Sequence, residues 1–78
     1  MPASFSAQIV YNKQPLLAVI LPQLRRNGIH YEVNINGFPR FYVVWSQLGR
    51  YDVAPGITAS QIPYEVVLSV SDAIEAQQ

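Results

Sequence analysis

Apolar residues recur with a period of two through most of the chain and with a period near 3.6 toward its end. Residues 4–11, SFSAQIVY, place Phe5, Ala7, Ile9 and Tyr11 on one side and Ser4, Ser6, Gln8 and Val10 on the other. That alternation predicts a strand with one buried face. Asn12-Lys13-Gln14 supplies a short polar connection, and Pro15 can open the next strand without losing a needed N–H. Residues 16–21, LLAVIL, fit two templates, because Leu17, Ile20, Leu21 and Leu24 suit a helical stripe whereas Leu16, Ala18 and Ile20 suit a strand. Pro22 decides for the strand. A helix reaching Leu24 would hold that proline in its interior at a cost of about 3 kcal/mol, and the residue before proline is pushed toward extended geometry. A strand apolar on both faces is expected to be covered on both, by the core and by another subunit. Residues 23–28, QLRRNG, read as an exposed loop with Gly28 at positive φ.

Residues 29–45, IHYEVNINGFPRFYVVW, predict a β-hairpin. Ile29, Tyr31, Val33 and Ile35 alternate with His30, Glu32 and Asn34, then Pro39, Phe41, Val43 and Trp45 alternate with Arg40, Tyr42 and Val44. A two-residue Asn36-Gly37 loop would pair Val33 with Arg40 and throw the two apolar rows onto opposite faces. A three-residue loop, Ile35-Asn36-Gly37, with a bulge at Gly37 puts them together. The predicted pairs are then Tyr31–Phe41, Val33–Pro39 and Ile29–Val43 in the core row, with Glu32–Arg40 and His30–Tyr42 outside. After a turn at SQLG, residues 50–53 predict a short edge strand with Tyr51 and Val53 on one face, and residues 54–59 a loop marked by Pro55 and Gly56.

From residue 61 to about 76 the period lengthens. Ile62, Val66, Val70, Ala73 and Ile74, with Val67 at the margin, form one stripe, while Glu65, Asp72 and Glu75 fall outside it. Ser60 can cap this helix, Pro63 is acceptable in its first turn and Glu65 suits the positive end of its dipole. A strand through residues 65–70 is the minority alternative. The expected fold is α+β: an antiparallel meander of four to five strands with one C-terminal amphipathic helix packed on one face.

Composition adds a reason to associate. Seventy-eight residues form one domain near the size where a core is only marginally sufficient. No cysteine is present to staple it or bind metal, and one histidine cannot make an imidazole cluster. Charged residues are 13% of the chain, about half of the roughly 25% typical of globular proteins, so the surface is thinly charged. A homodimer, or another protein as a lasting partner, is expected to relieve this. Five basic and five acidic residues balance, leaving no overall field to draw nucleic acid or an anionic membrane. No apolar run approaches the ~20 residues of a membrane-spanning helix and no basic-then-apolar leader opens the sequence, so the cytoplasm is the default location.

Candidate chemistry is sparse. His30, beside Glu32 and facing the same side as Arg40 and Tyr42, is the one group suited to acid–base work near neutrality, yet no second catalytic partner is spaced to meet it. Glycines 28, 37, 49 and 56 stand in separate turns and cradle no phosphate. An enzyme is not expected, nor a metal or cofactor. Arg40 and Tyr42 with Arg25 and Arg26 could bind single-stranded nucleic acid weakly, as aromatic platforms beside basic groups do. The favoured expectation is an interaction surface. Leu17, Val19 and Leu21 line the second face of their strand, and with Tyr42, Val44, His30, Glu32 and Arg40, and with Tyr64 and Leu68 on the helix flank, they would make a patch through which the chain meets itself or another protein.

Overall fold

The computed structural model describes residues 3–26, 28–54 and 61–77. Five strands, β1 (Phe5–Tyr11), β2 (Gln14–Arg25), β3 (Gly28–Ile35), β4 (Phe41–Trp45) and β5 (Tyr51–Val53), form one antiparallel sheet in chain order, followed by helix α1 (Tyr64–Ala76). This is the predicted α+β meander with its C-terminal helix. The helix lies closest to β1 and β5, so it bridges the two outermost strands and covers the face between them.

The first hairpin turns through Asn12 and Lys13, at φ 54° and 65°. Positive φ at both positions is the type I′ requirement, met here without glycine, and it makes Tyr11–Gln14 the hydrogen-bonded closing pair. The odd residues of β1 and the even residues of β2 therefore bond to each other. This parity shows how β2 tolerates two prolines. Pro15 turns its nitrogen toward β3, which has already ended opposite Ala18; Pro22 turns its nitrogen toward β1, which ends opposite Ile20.

Because Pro22 breaks nothing there, the strand does not stop at residue 21. It runs on to Arg25, where the sequence predicts a loop, and Gly28 begins β3 directly opposite it at φ 122°. The prediction for Gly28 holds, whereas of the predicted loop only Arg26 lies outside the strands among the described residues.

The β3–β4 register differs from the predicted one by two residues. Tyr31 pairs with Val43, Glu32 with Tyr42 and Val33 with Phe41. Faces are preserved by an even shift, so the apolar rows still coincide, but Ile35 lies in the strand and is buried rather than in the turn. Pro39 is the cause. It has no N–H to give Ile35, whose carbonyl instead accepts from Phe38 N–H at 3.1 Å across a turn with Gly37 at φ 93°, and the ladder resumes only at Phe41.

The core gathers Ile9, Ala18, Ile20, Tyr31, Val33, Ile35, Phe41, Val43 and Tyr51 from the inner face of the sheet and Ile62, Val66, Val67, Val70 and Ile74 from the helix side. Val67, placed at the margin of the stripe, is fully inside. The helix begins after Pro63, which occupies the N-cap with extended geometry, and Val66 and Val67 donate to its carbonyl. The proposed Ser60 cap and the loop from residue 55 lie outside the described residues.

Three members of the predicted core row are not buried: Pro39, which lies in the connection before β4 and is exposed, Trp45 and Ile29. Trp45 is 56% exposed and Ile29 38%, because these two stand at the end of the sheet beyond the reach of the helix. Trp45 instead packs its ring edge-to-face on Tyr51 at 5.1 Å, and Tyr51 in turn on Tyr31 at 5.3 Å.

Candidate functional site

With the part of the inner face beneath the helix committed to the core and only its far end, at Leu24, Ile29 and Trp45, left open, the predicted site residues of the strands fall on the outer face of the sheet. Strand parity places on it Ser6, Gln8 and Val10 of β1, Pro15 to Arg25 at odd positions of β2, His30, Glu32 and Asn34 of β3, Tyr42 and Val44 of β4 and Asp52 of β5. No segment of the described chain lies over them, so among the described residues β2 is covered on one side only. The outer face divides into two halves of different chemistry.

The half formed by β2, β3 and β4 is polar and centred on Glu32. Its Oε1 accepts from Gln23 Nε2 at 2.9 Å and from Tyr42 Oη at 3.4 Å, and its Oε2 accepts from Asn34 Nδ2 at 2.8 Å. The Asn34 hydrogen bond is the main influence holding the carboxyl below the usual carboxylate range, with the Arg40 charge and the Tyr42 and Gln23 bonds acting in the same direction against partial desolvation. Arg25 continues the network. It donates to Gln23 Oε1 at 3.0 Å and lays its guanidinium 4.9 Å from the centre of the Tyr42 ring.

This arrangement is unsuited to the chemistry that a histidine and a carboxylate could otherwise offer. A carboxylate with its acceptor sites occupied and its proton affinity lowered is a weak general base. His30 takes no part in the network, and its Nδ1 is enclosed without a hydrogen-bond partner. Nor is Tyr42 an open platform for a nucleobase, since Arg25 occupies one ring face and the Glu32 anion stands at its hydroxyl. Among the described residues no group of three His, Asp or Glu side chains converges as a metal site, and no helix is long and apolar enough to cross a membrane.

The other half, on β1 and β2, is apolar. Val10 is 59% exposed, Leu17 60% and Val19 39%, and the pairing of Val10 with Pro15 and of Gln8 with Leu17 makes them neighbours. Leu21, half-buried opposite Glu32, marks the boundary between the halves.

The structure thus joins His30, Glu32, Tyr42, Val44, Leu17, Val19 and Leu21 on one face, with Arg40 at its margin just before β4. It does not bring Tyr64 and Leu68 to them. Both lie on the helix, on the other side of the sheet, where Arg50 stacks on the Tyr64 ring at 5.3 Å. Gln23 and Asn34 are members of the polar cluster that sequence reasoning did not single out. Continuing the odd positions of β2 past Pro22 would have reached Gln23 and Arg25. Comparison with protein-family models, with curated proteins and with solved structures gives no match to this chain.

Proposed function

We propose that this protein is a small non-enzymatic association module that docks other protein surface through the outer face of its sheet. The observation that carries this reading is the contiguous exposed row Val10, Leu17 and Val19 on a domain whose helix covers only the opposite face. Exposed single apolar residues are ordinary on protein surfaces, but neighbours sharing one flat face mark a contact site. The adjoining polar half fits the rim of such a site. Gln23, Arg25, Glu32, Asn34 and Tyr42 are already hydrogen-bonded or stacked on one another, so covering them requires little reorganisation.

The test is photo-cross-linking in the cell that makes the protein, with a photoreactive residue at position 17 and, as control, at exposed position 75 on the helix. Defined higher-mass adducts from position 17 and none from position 75 are expected. An absence of adducts at position 17 would overturn the proposal.

A further inference from the structure

The two edges of the sheet are finished differently. In β5 the ladder to β4 engages Arg50 and Ala54, since Ser46 N–H donates to the Arg50 carbonyl at 2.9 Å and Ala54 N–H to the Tyr42 carbonyl at 2.8 Å. Tyr51 and Val53 therefore point their N–H groups away from the sheet, and both are satisfied within the chain. Tyr51 N–H donates to Ser71 Oγ of the helix at 3.0 Å, and Val53 N–H to the Asp52 carboxylate at 2.8 Å. At the opposite edge, the odd residues of β1 serve the ladder to β2, so Ser6, Gln8 and Val10 turn their backbone groups outward. No described residue bonds to them.

Strand β1 also lacks the usual protection of an open edge. Between Phe5 and Tyr11 it has no lysine or other charge, no proline and no residue at positive φ. A seven-residue neutral edge with a bare hydrogen-bonding row is a template for another strand.

We infer that β1 pairs antiparallel with β1 of a second copy of this chain about a twofold axis at Gln8. This rests on the association reading above and adds the partner and the edge. Strand parity requires bonded pairs at outward residues, and an axis at Gln8 meets that condition with full overlap: Ser6 bonds the partner's Val10, Gln8 bonds the partner's Gln8, and Val10 bonds the partner's Ser6. The same register sets Phe5 opposite the partner's Tyr11 and Ala7 opposite the partner's Ile9 on the inner side. Half-buried aromatic rings thereby gain aromatic neighbours, and a small side chain meets a large one. The paired strands themselves carry no charge, and the one acidic side chain beside the seam is Asp72 of each helix. An open groove of about 380 Å³ between Gln8, Ile9 and Val10 and the helix residues Ser69, Asp72 and Ala73 gives the partner's inward-facing side chains room beside the helix. On the outer side the two apolar rows meet across the axis as one surface.

Sedimentation velocity of the full chain across the micromolar range tests this. Wild type is expected to dimerise reversibly. Gln8→Pro removes an N–H that the β1–β2 ladder does not use, so the variant is expected to keep the wild-type far-UV circular dichroism and to dimerise more weakly by roughly tenfold or more. Gln8→Lys, which sets two ammonium groups against each other at the axis, serves if the proline disturbs the fold, and its loss of dimer should be partly reversed by salt. A wild-type chain that remains monomeric at several hundred micromolar overturns the pairing and leaves the association reading to the cross-link from position 17. A dimer that survives Gln8→Lys also overturns it, and shows that association uses another surface.

Discussion

Phe41 and Tyr42 are chain neighbours with nearly the same ring, and the sheet sends them in opposite directions. Phe41 is 1% exposed, packed between the strands and the helix with no polar atom to satisfy. Tyr42 is half-buried, with Arg25 on its ring and its hydroxyl against Glu32. The inner face is held by volume, where every methylene has neighbours on all sides; the outer face is held by pairs of groups that water could serve nearly as well. Stability in this domain therefore resides on the inner face, and the outer surface is free to do something else.

The sharpest way to break that contrast is to truncate each ring. Phe41→Ala should cost about 3–5 kcal/mol through lost burial and the cavity left behind. That is comparable to the whole stability of a domain this size, roughly 4–12 kcal/mol. Tyr42→Ala should cost about 1 kcal/mol or less. Urea denaturation monitored by tryptophan fluorescence compares the two, and equal losses would show the outer face to be packed as tightly as the inner one.

A smaller effect is expected at Ser71, the buried polar side chain among the helix residues facing the core. Ser71→Ala removes the acceptor of Tyr51 N–H and should destabilise by about 1–3 kcal/mol. Hydrogen exchange should localise the change as faster exchange at Tyr51. An unchanged Tyr51 amide would show that the helix does not finish the β5 edge.

The smallest effect belongs to Glu32. Its carboxyl titrates lower in the folded chain, chiefly through the Asn34 hydrogen bond, than in the unfolded chain, where it keeps its ordinary value. The ionised group therefore adds stability above that unfolded value, and the contribution disappears as pH falls through the folded one. Glu32→Gln should lower the urea midpoint at pH 7 by an amount worth below about 1 kcal/mol, given the solvent access of the network. The gap should narrow toward pH 3. A gap independent of pH would assign the effect to packing rather than charge.

The faces of this sheet are legible in the sequence because a period of two has only two phases, and each strand's own alternation declares which one it takes. Strand lengths and register are less so. Pro22 reads locally as a terminator, but its effect depends on whether a neighbour stands on its nitrogen side, which is a property of the assembled sheet. Pro39 acts in the opposite sense, delaying the ladder and shifting the hairpin by two. Trp45 and Ile29 show the same limit for burial: their phase assigns them to the inner face, but only the length and placement of the helix decide whether that part of the face is covered. The Glu32 cluster was half visible, through His30, Glu32, Arg40 and Tyr42. Gln23 joins it because β2 is longer than its proline suggests, and Asn34 because it stands two residues along β3 from Glu32 on the same face.

The helix that covers the inner face follows all five strands in the chain. During synthesis, every inward-facing residue from Ile9 to Tyr51 is therefore made before Val66, Val70 and Ile74 exist to meet it. The nascent sheet passes through an interval with both faces bare and little charge to keep neighbouring chains apart, and its sticking hazard peaks just before its last helical turns emerge. Trimming the chain from its C-terminal side would make that interval permanent, since a truncation before residue 64 yields an uncovered sheet rather than a smaller domain.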